Sequence, residues 1–155
     1  MKRAYAVTLS TACTAALLAG CTQPQSNARS AAGSAEAIVF FSVTHDGADD
    51  PQRLDMAMKL AGFSLDEDRR VVMFFNVRGV RVPTQAFSDT LSFKDDKTIK
   101  AQLASLIDRG AEVHVCPICM KALDVQEGDL VEGAQVTTRP KLFSTIGPGT
   151  TVFTY

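Results

Sequence analysis

Two unbroken apolar runs set the strongest limit on what this chain can fold into. AIVFFSVT spans Ala37 to Thr44 and RVVMFFNV spans Arg70 to Val77. Neither alternates between apolar and polar residues, as a strand with one wet face would. A continuous run of this length, rich in Val and Phe, reads as a strand buried on both faces, the situation in a parallel sheet. Parallel strands need crossover connections, and the segment between the two runs supplies one. Asp50 can cap a helix and Pro51 fits its first turn. Leu54, Ala57, Met58 and Ala61 then recur at helical spacing.

The same alternation continues downstream. RGVRVPTQ reads as a loop. A second helix is expected over about residues 94–109, with Ile99, Leu103, Leu106 and Ile107 on one face and Gly110 placed to end it. AEVHVC, Ala111 to Cys116, reads as a third strand and residues 117–124 as a short helix. DLVEGAQVT is read as another short helix and then a short strand near residues 135–137. KLFSTIG is read as a helical turn or two, and TTVFTY as a closing strand. Strands alternating with helices give an α/β class with a mainly parallel sheet. Sites in such sheets collect at the carboxyl ends of strands. Three loops are expected there: His45 to Asp50, Arg78 to Thr84, and Cys116 to Met120.

The first 20 residues do not belong to this pattern. A basic start (Lys2, Arg3) leads into an apolar stretch of small residues that ends Leu18-Ala19-Gly20-Cys21. That is a secretory signal in shape, too short for a bilayer-spanning helix. Its ending resembles the bacterial lipoprotein processing site, which implies a lipid-modified Cys21 at the mature N-terminus. Thr22 in place of Asp favours the outer membrane in a Gram-negative source. TQPQSNARSAAGSA follows as a polar tether through Ala35, with a reach on the order of 20 Å. The expected organisation is therefore signal peptide 1–20, lipidated Cys and tether 21–35, and one domain 36–155. The expected location is the cell envelope, anchored to a membrane through lipid. A formal net charge of −1, no basic block and no tryptophan give no sign of a nucleic-acid partner.

Of the chain's 4 cysteines, Cys13 leaves with the signal and Cys21 carries lipid. Cys116 and Cys119 remain, in Cys-Pro-Ile-Cys at a strand-to-helix turn. A disulfide closing so small a loop is a poor staple, because loop-closure stabilisation grows with loop length. A reactive site is the better use. Unpaired N–H groups at a helix start favour thiolate, so Cys116 is the expected nucleophile and Cys119, one turn on, the resolving thiol. Packing of two small side chains is the plainer alternative. A thioredoxin fold would place the motif after the first core strand, whereas two strand–helix units precede it here. Haem attachment needs a His where Met120 stands. Zinc would need two more ligands, and His45 and His114 are the only histidines. A soft set of Cys116, Cys119 and Met120 would suit Cu(I), although Met120 is explained as well by packing. His114 lies two residues before Cys116 and can share its face; a hydrogen-bonded strand histidine is the simpler account. Arg78 and Arg81 are candidates to hold an anionic sulfur substrate. Asp46, Asp49 and Asp50 are better explained by capping and a solvated loop than by cation binding. Gly147-Pro148-Gly149 lacks the Lys-Ser/Thr of a phosphate loop.

The order THDGADDPQRLDMAMKLA, FFNVRGV, VHVCPICMKAL and a terminal strand resembles the DsrE/DsrF-like family over roughly residues 37–155. That resemblance implies a three-layer α/β/α sandwich with a five-stranded, mainly parallel sheet, and assembly into homo-oligomers. It also implies that Cys116 stands where relay members carry a persulfide, with a sulfur donor or acceptor protein, or a small sulfur compound, as partner. Cys119 is a thiol that relay members need not have. No cofactor and no resident metal is called for. Relay members work in the reducing cytosol, so an anchored chain outside it departs from their setting. Thiol–disulfide exchange and a copper- or protein-binding module stand as alternatives.

Overall fold

The computed structural model describes residues 37–94 and 97–155. The signal, Cys21 and the tether lie outside the described residues. Five strands form one sheet: β1 (Ile38–Val43), β2 (Arg70–Phe75), β3 (Glu112–Val115), β4 (Ala134–Val136) and β5 (Thr151–Thr154). Their order is β4-β3-β2-β1-β5, and every pairing is parallel. The α-helices among the described residues are α1 (Pro51–Asp66), α2 (Ile99–Asp108), α3 (Pro117–Ala122) and α4 (Arg139–Ser144). The expected α/β class with a five-stranded parallel sheet is the fold observed.

The steps from β1 to β2, β3 and β4 all run one way across the sheet. Right-handed crossovers therefore put α1, α2 and α3 on one face. The return from β4 to β5 runs the other way and carries α4 to the opposite face. Phe41, Val43, Val71, Met73, Phe75, Val113 and Val115 point to the first face. They form one buried cluster with Leu54, Ala57, Met58 and Ala61 of α1 and Ile99, Leu103 and Leu106 of α2. Phe40, Val72 and His114 are buried as well, on the second face. Burial on both faces is why β1 and β2 carry no alternation.

Local signals account for most boundaries. The Asp50 carboxylate accepts from the Gln52 N–H, and Pro51 opens α1. α2 starts at Ile99, where Thr98 accepts from the Ala101 N–H. That is five residues later than expected, and Lys94, at φ +50°, shows why. A residue in the left-handed region cannot sit in a right-handed helix. Gly110, at φ +96°, ends α2 as its sequence position requires. RGVRVPTQ is not an open loop, since Val77–Arg81 form a 3₁₀ helix directly after β2.

On the second face Glu112 gathers charge. It receives Arg70 at 2.6 Å, His114 Nε2 at 3.3 Å and Lys141 of α4 at 3.5 Å. Partial burial pushes the Glu112 carboxyl up; hydrogen bonds from Arg70 and His114, and the charges of Arg70 and Lys141, outweigh it and hold the carboxyl below its ordinary value of 4.5. A carboxyl depressed by folding stabilises the fold above its unfolded value and ceases to as pH falls through the folded one. Denaturation midpoints are thus expected to fall between pH 5 and pH 3 in part through Glu112, as flagged by ordinary carboxylate titration at about 4. In Glu112→Gln the fall should be shallower. Equal pH slopes for the two chains would remove Glu112 from the account.

Candidate functional site at the CPIC turn

All five strands being parallel, their carboxyl ends share one edge. There the β3 ladder runs one bond past the strand, from the Cys116 N–H to the Phe75 carbonyl at 2.9 Å. The Cys116 carbonyl then accepts from the Met120 N–H at 2.9 Å, opening α3. Pro117 has no N–H to lose in that first turn. Cys119 follows one turn later. Both cysteines are free thiols and partly exposed. Ile118 between them is 80% exposed, an unusual setting for a large apolar side chain.

Cys119 is held from β2's side. Its Sγ accepts the Val77 N–H at 3.1 Å. That N–H belongs to the peptide joining Asn76 to Val77, and Val77 then turns the chain into the 3₁₀ helix at φ +49°, a rare conformation for a β-branched residue. The neighbours fix it. The Asn76 N–H donates to the Val43 carbonyl and its amide to Ser42 Oγ, both at 2.9 Å. The Gly79 N–H donates to the Thr44 and Asn76 carbonyls. A Cβ on Gly79 would collide with the Val43 carbonyl oxygen, so only glycine lets the 3₁₀ helix lie this close to β1.

These contacts divide the labour between the thiols. Burial pushes the Cys119 thiol above its ordinary value, and its hydrogen bond with Cys116 pushes the same way, partly offset by the Val77 N–H. Cys119 is therefore the thiol that keeps its proton.

Asp46, Arg78 and Arg81 lie on the same edge. Asp46 is only 8% exposed, against the expectation of a solvated loop. It accepts from the Ala48 N–H and stands 3.8 Å from Arg78 and 3.5 Å from Arg81. Arg78 also binds Asp49 at 2.7 Å. Both guanidinium groups are thus engaged by carboxylates, which would compete with any anionic substrate. Arg81 lines a cavity of about 550 Å³ with Asp46, Thr84, Phe87, Asp124 and Asp129. Neither cysteine is among its lining residues.

Two sequence candidates lie elsewhere. His114 is fully buried on the second face against Glu112, with Nδ1 unpartnered. Cys116 follows the last residue of β3, so strand alternation does not carry His114 to its side. Met120 is buried in the core cluster. His45 contacts Arg53 at 3.0 Å. Among the described residues no group of His, Cys, Asp and Glu is placed to hold a metal ion. Val77 escaped the sequence reading, because a valine gives no hint of a left-handed backbone.

Fold and turn together define a parallel α/β domain with a thiol pair at the carboxyl end of its third strand. The chain matches the DsrE/DsrF-like family over residues 37–155 and belongs to it, a family associated with sulfur relay. No curated protein matches the chain. Among solved structures it is similar to MTH1491 from Methanobacterium thermoautotrophicum, a protein of unknown function, at 17% identity and a TM-score of 0.57. That likeness covers 76% of this chain and 97% of the other. The ychN protein from E. coli is similar at 17% identity and a TM-score of 0.55, covering 77% of this chain and 99% of its own. Both likenesses concern the fold.

Proposed function

We propose that this protein is a sulfur carrier, or sulfurtransferase-like protein, that holds sulfane sulfur on Cys116. The observation that carries the reading is the place of Cys116, a free and partly exposed thiol between the end of β3 and the start of α3, with Cys119 one turn on. In the loading step the Cys116 thiolate attacks the outer sulfur of a donor persulfide. A bond forms from Cys116 Sγ to that sulfur, the donor's S–S bond breaks, and the donor leaves as a thiolate. A partner thiolate then takes the outer sulfur in the same way. Alternatively Cys119 attacks Cys116 Sγ and expels hydrosulfide, which leaves a disulfide. The proposed setting is the cell envelope, with Cys21 as the lipidated anchor and a homo-oligomer as the working form. Among the described residues no helix is long and apolar enough to cross a membrane.

The test is peptide-level mass of the Cys116–Cys119 segment, as isolated and after polysulfide. A gain of one sulfur atom supports the carrier. Loss of two hydrogens with no added sulfur favours thiol–disulfide exchange, the second reading, which two free thiols one helical turn apart also support.

A further inference from the structure

Val77 holds the most unexpected backbone at this edge of the sheet. Its side chain is 56% exposed, so packing of that side chain does not hold it at φ +49°. Its neighbours do, through Asn76 on one side and Gly79 on the other. The conformation turns the chain from β2 into the 3₁₀ helix, closed by the Gly79 N–H on the Asn76 carbonyl, and leaves the Val77 N–H 3.1 Å from Cys119 Sγ. Strained backbone that survives in an over-determined setting points to a role. A fixed N–H acts most strongly on the state in which charge develops at its acceptor. For Cys119 that state is its departure from a disulfide.

We propose that the Val77 N–H receives the charge on Cys119 when hydrosulfide opens a Cys116–Cys119 disulfide at Cys116 Sγ. This rests on the carrier reading and names a substrate for it, inorganic hydrosulfide. The disulfide arises by exchange with an external disulfide, which leaves as two thiols. Hydrosulfide then attacks Cys116 Sγ. A bond forms between the incoming sulfur and Cys116 Sγ, and the Sγ–Sγ bond breaks. Its electron pair stays on Cys119 as thiolate, and the proton stays on the incoming sulfur. The disulfide is reduced and the hydrosulfide is oxidised to sulfane sulfur, so no further oxidant enters. Attack at Cys116 places the departing charge on Cys119, the sulfur that accepts the Val77 N–H. The same N–H opposes the burial that makes Cys119 a poor leaving group.

The experiment uses the full chain, oxidised with diamide, then mixed with sodium sulfide or with 2-mercaptoethanol, quenched by alkylation and mapped by peptide mass. The comparison chain carries the α-hydroxy acid of valine at position 77, which replaces the N–H by an ester oxygen and keeps the side chain. Opening by both reagents is expected to slow about ten-fold, the scale of one hydrogen bond to a charged acceptor, with one sulfur left on Cys116 after sulfide. Equal opening rates for the two chains would overturn the role of Val77. Slower opening with no sulfur retained on Cys116 would overturn the hydrosulfide step. Loading of the reduced chain by polysulfide judges the carrier reading separately. A second measurement needs no backbone change: in Cys116→Ser, the Val77 amide proton resonance should move downfield as Cys119 ionises. A Val77 amide silent through that titration would also sink the proposal.

Discussion

Cys116→Ser is expected to take up no sulfur in the segment from Cys116 to Cys119 after polysulfide, whereas Cys119→Ser should load and hold it. The contrast follows from the geometry. Cys116 stands free and partly exposed at the start of α3, while burial raises the Cys119 thiol, partly offset by the Val77 N–H. Removing Cys116 leaves a thiol that burial still pushes above its ordinary value, and a protonated thiol is not the nucleophile. Removing Cys119 takes away the resolving sulfur but not the acceptor, so sulfur should stay on Cys116 longer than in the parent chain. The decisive comparison is the mass of the two alkylated peptides over time. Equal loading of both variants would mean that either thiol serves, and the division of labour would fall. Loading of Cys116→Ser alone would reverse the assignment.

Gly79→Ala is expected to cost stability and to release Cys119 together. The added Cβ meets the Val43 carbonyl oxygen and the adjoining carbonyl carbon, which are backbone atoms at the end of a central strand. Neither can swing away as a long side chain can. Forcing one methyl group into such a place costs about 1–3 kcal/mol. The 3₁₀ helix must then move off β1, and the Val77 N–H moves with it. Lower denaturation midpoints should therefore accompany a changed alkylation rate at Cys119 in a Cys116→Ser background. A destabilised chain with an unchanged Cys119 rate would show that the Val77 contact tolerates the shift. An undisturbed midpoint would contradict the close approach itself.

Much of the frame was legible from residues because the signals were physical. AIVFFSVT and RVVMFFNV lack alternation since both faces of β1 and β2 are buried, and Asp50-Pro51 starts a helix for reasons local to it. The start of α2 was misplaced because nothing in Lys94 announces a left-handed backbone. At the site, the thiol pair and its strand-end position were readable from Cys-Pro-Ile-Cys alone. Asp46 was not separable from Asp49 and Asp50, as three acids in one loop look alike until two arginines and a buried position choose one. Parity allowed His114 to share a face with Cys116, but the simpler account, a hydrogen-bonded strand histidine, is what β3 shows, with Nε2 3.3 Å from Glu112. The Val77 donor is a main-chain group, so no side-chain pattern could mark it.

The register of β5 bears on how the chain is born. Among the described residues β1 is the first strand of the sheet, yet one of its two partners is β5, the last of the five, with Val39 beside Thr151. Until β5 has been made, one long edge of β1 has no partner. Contacts of such sequence separation make folding slow. The sheet therefore cannot close at β1 until β5 has been made.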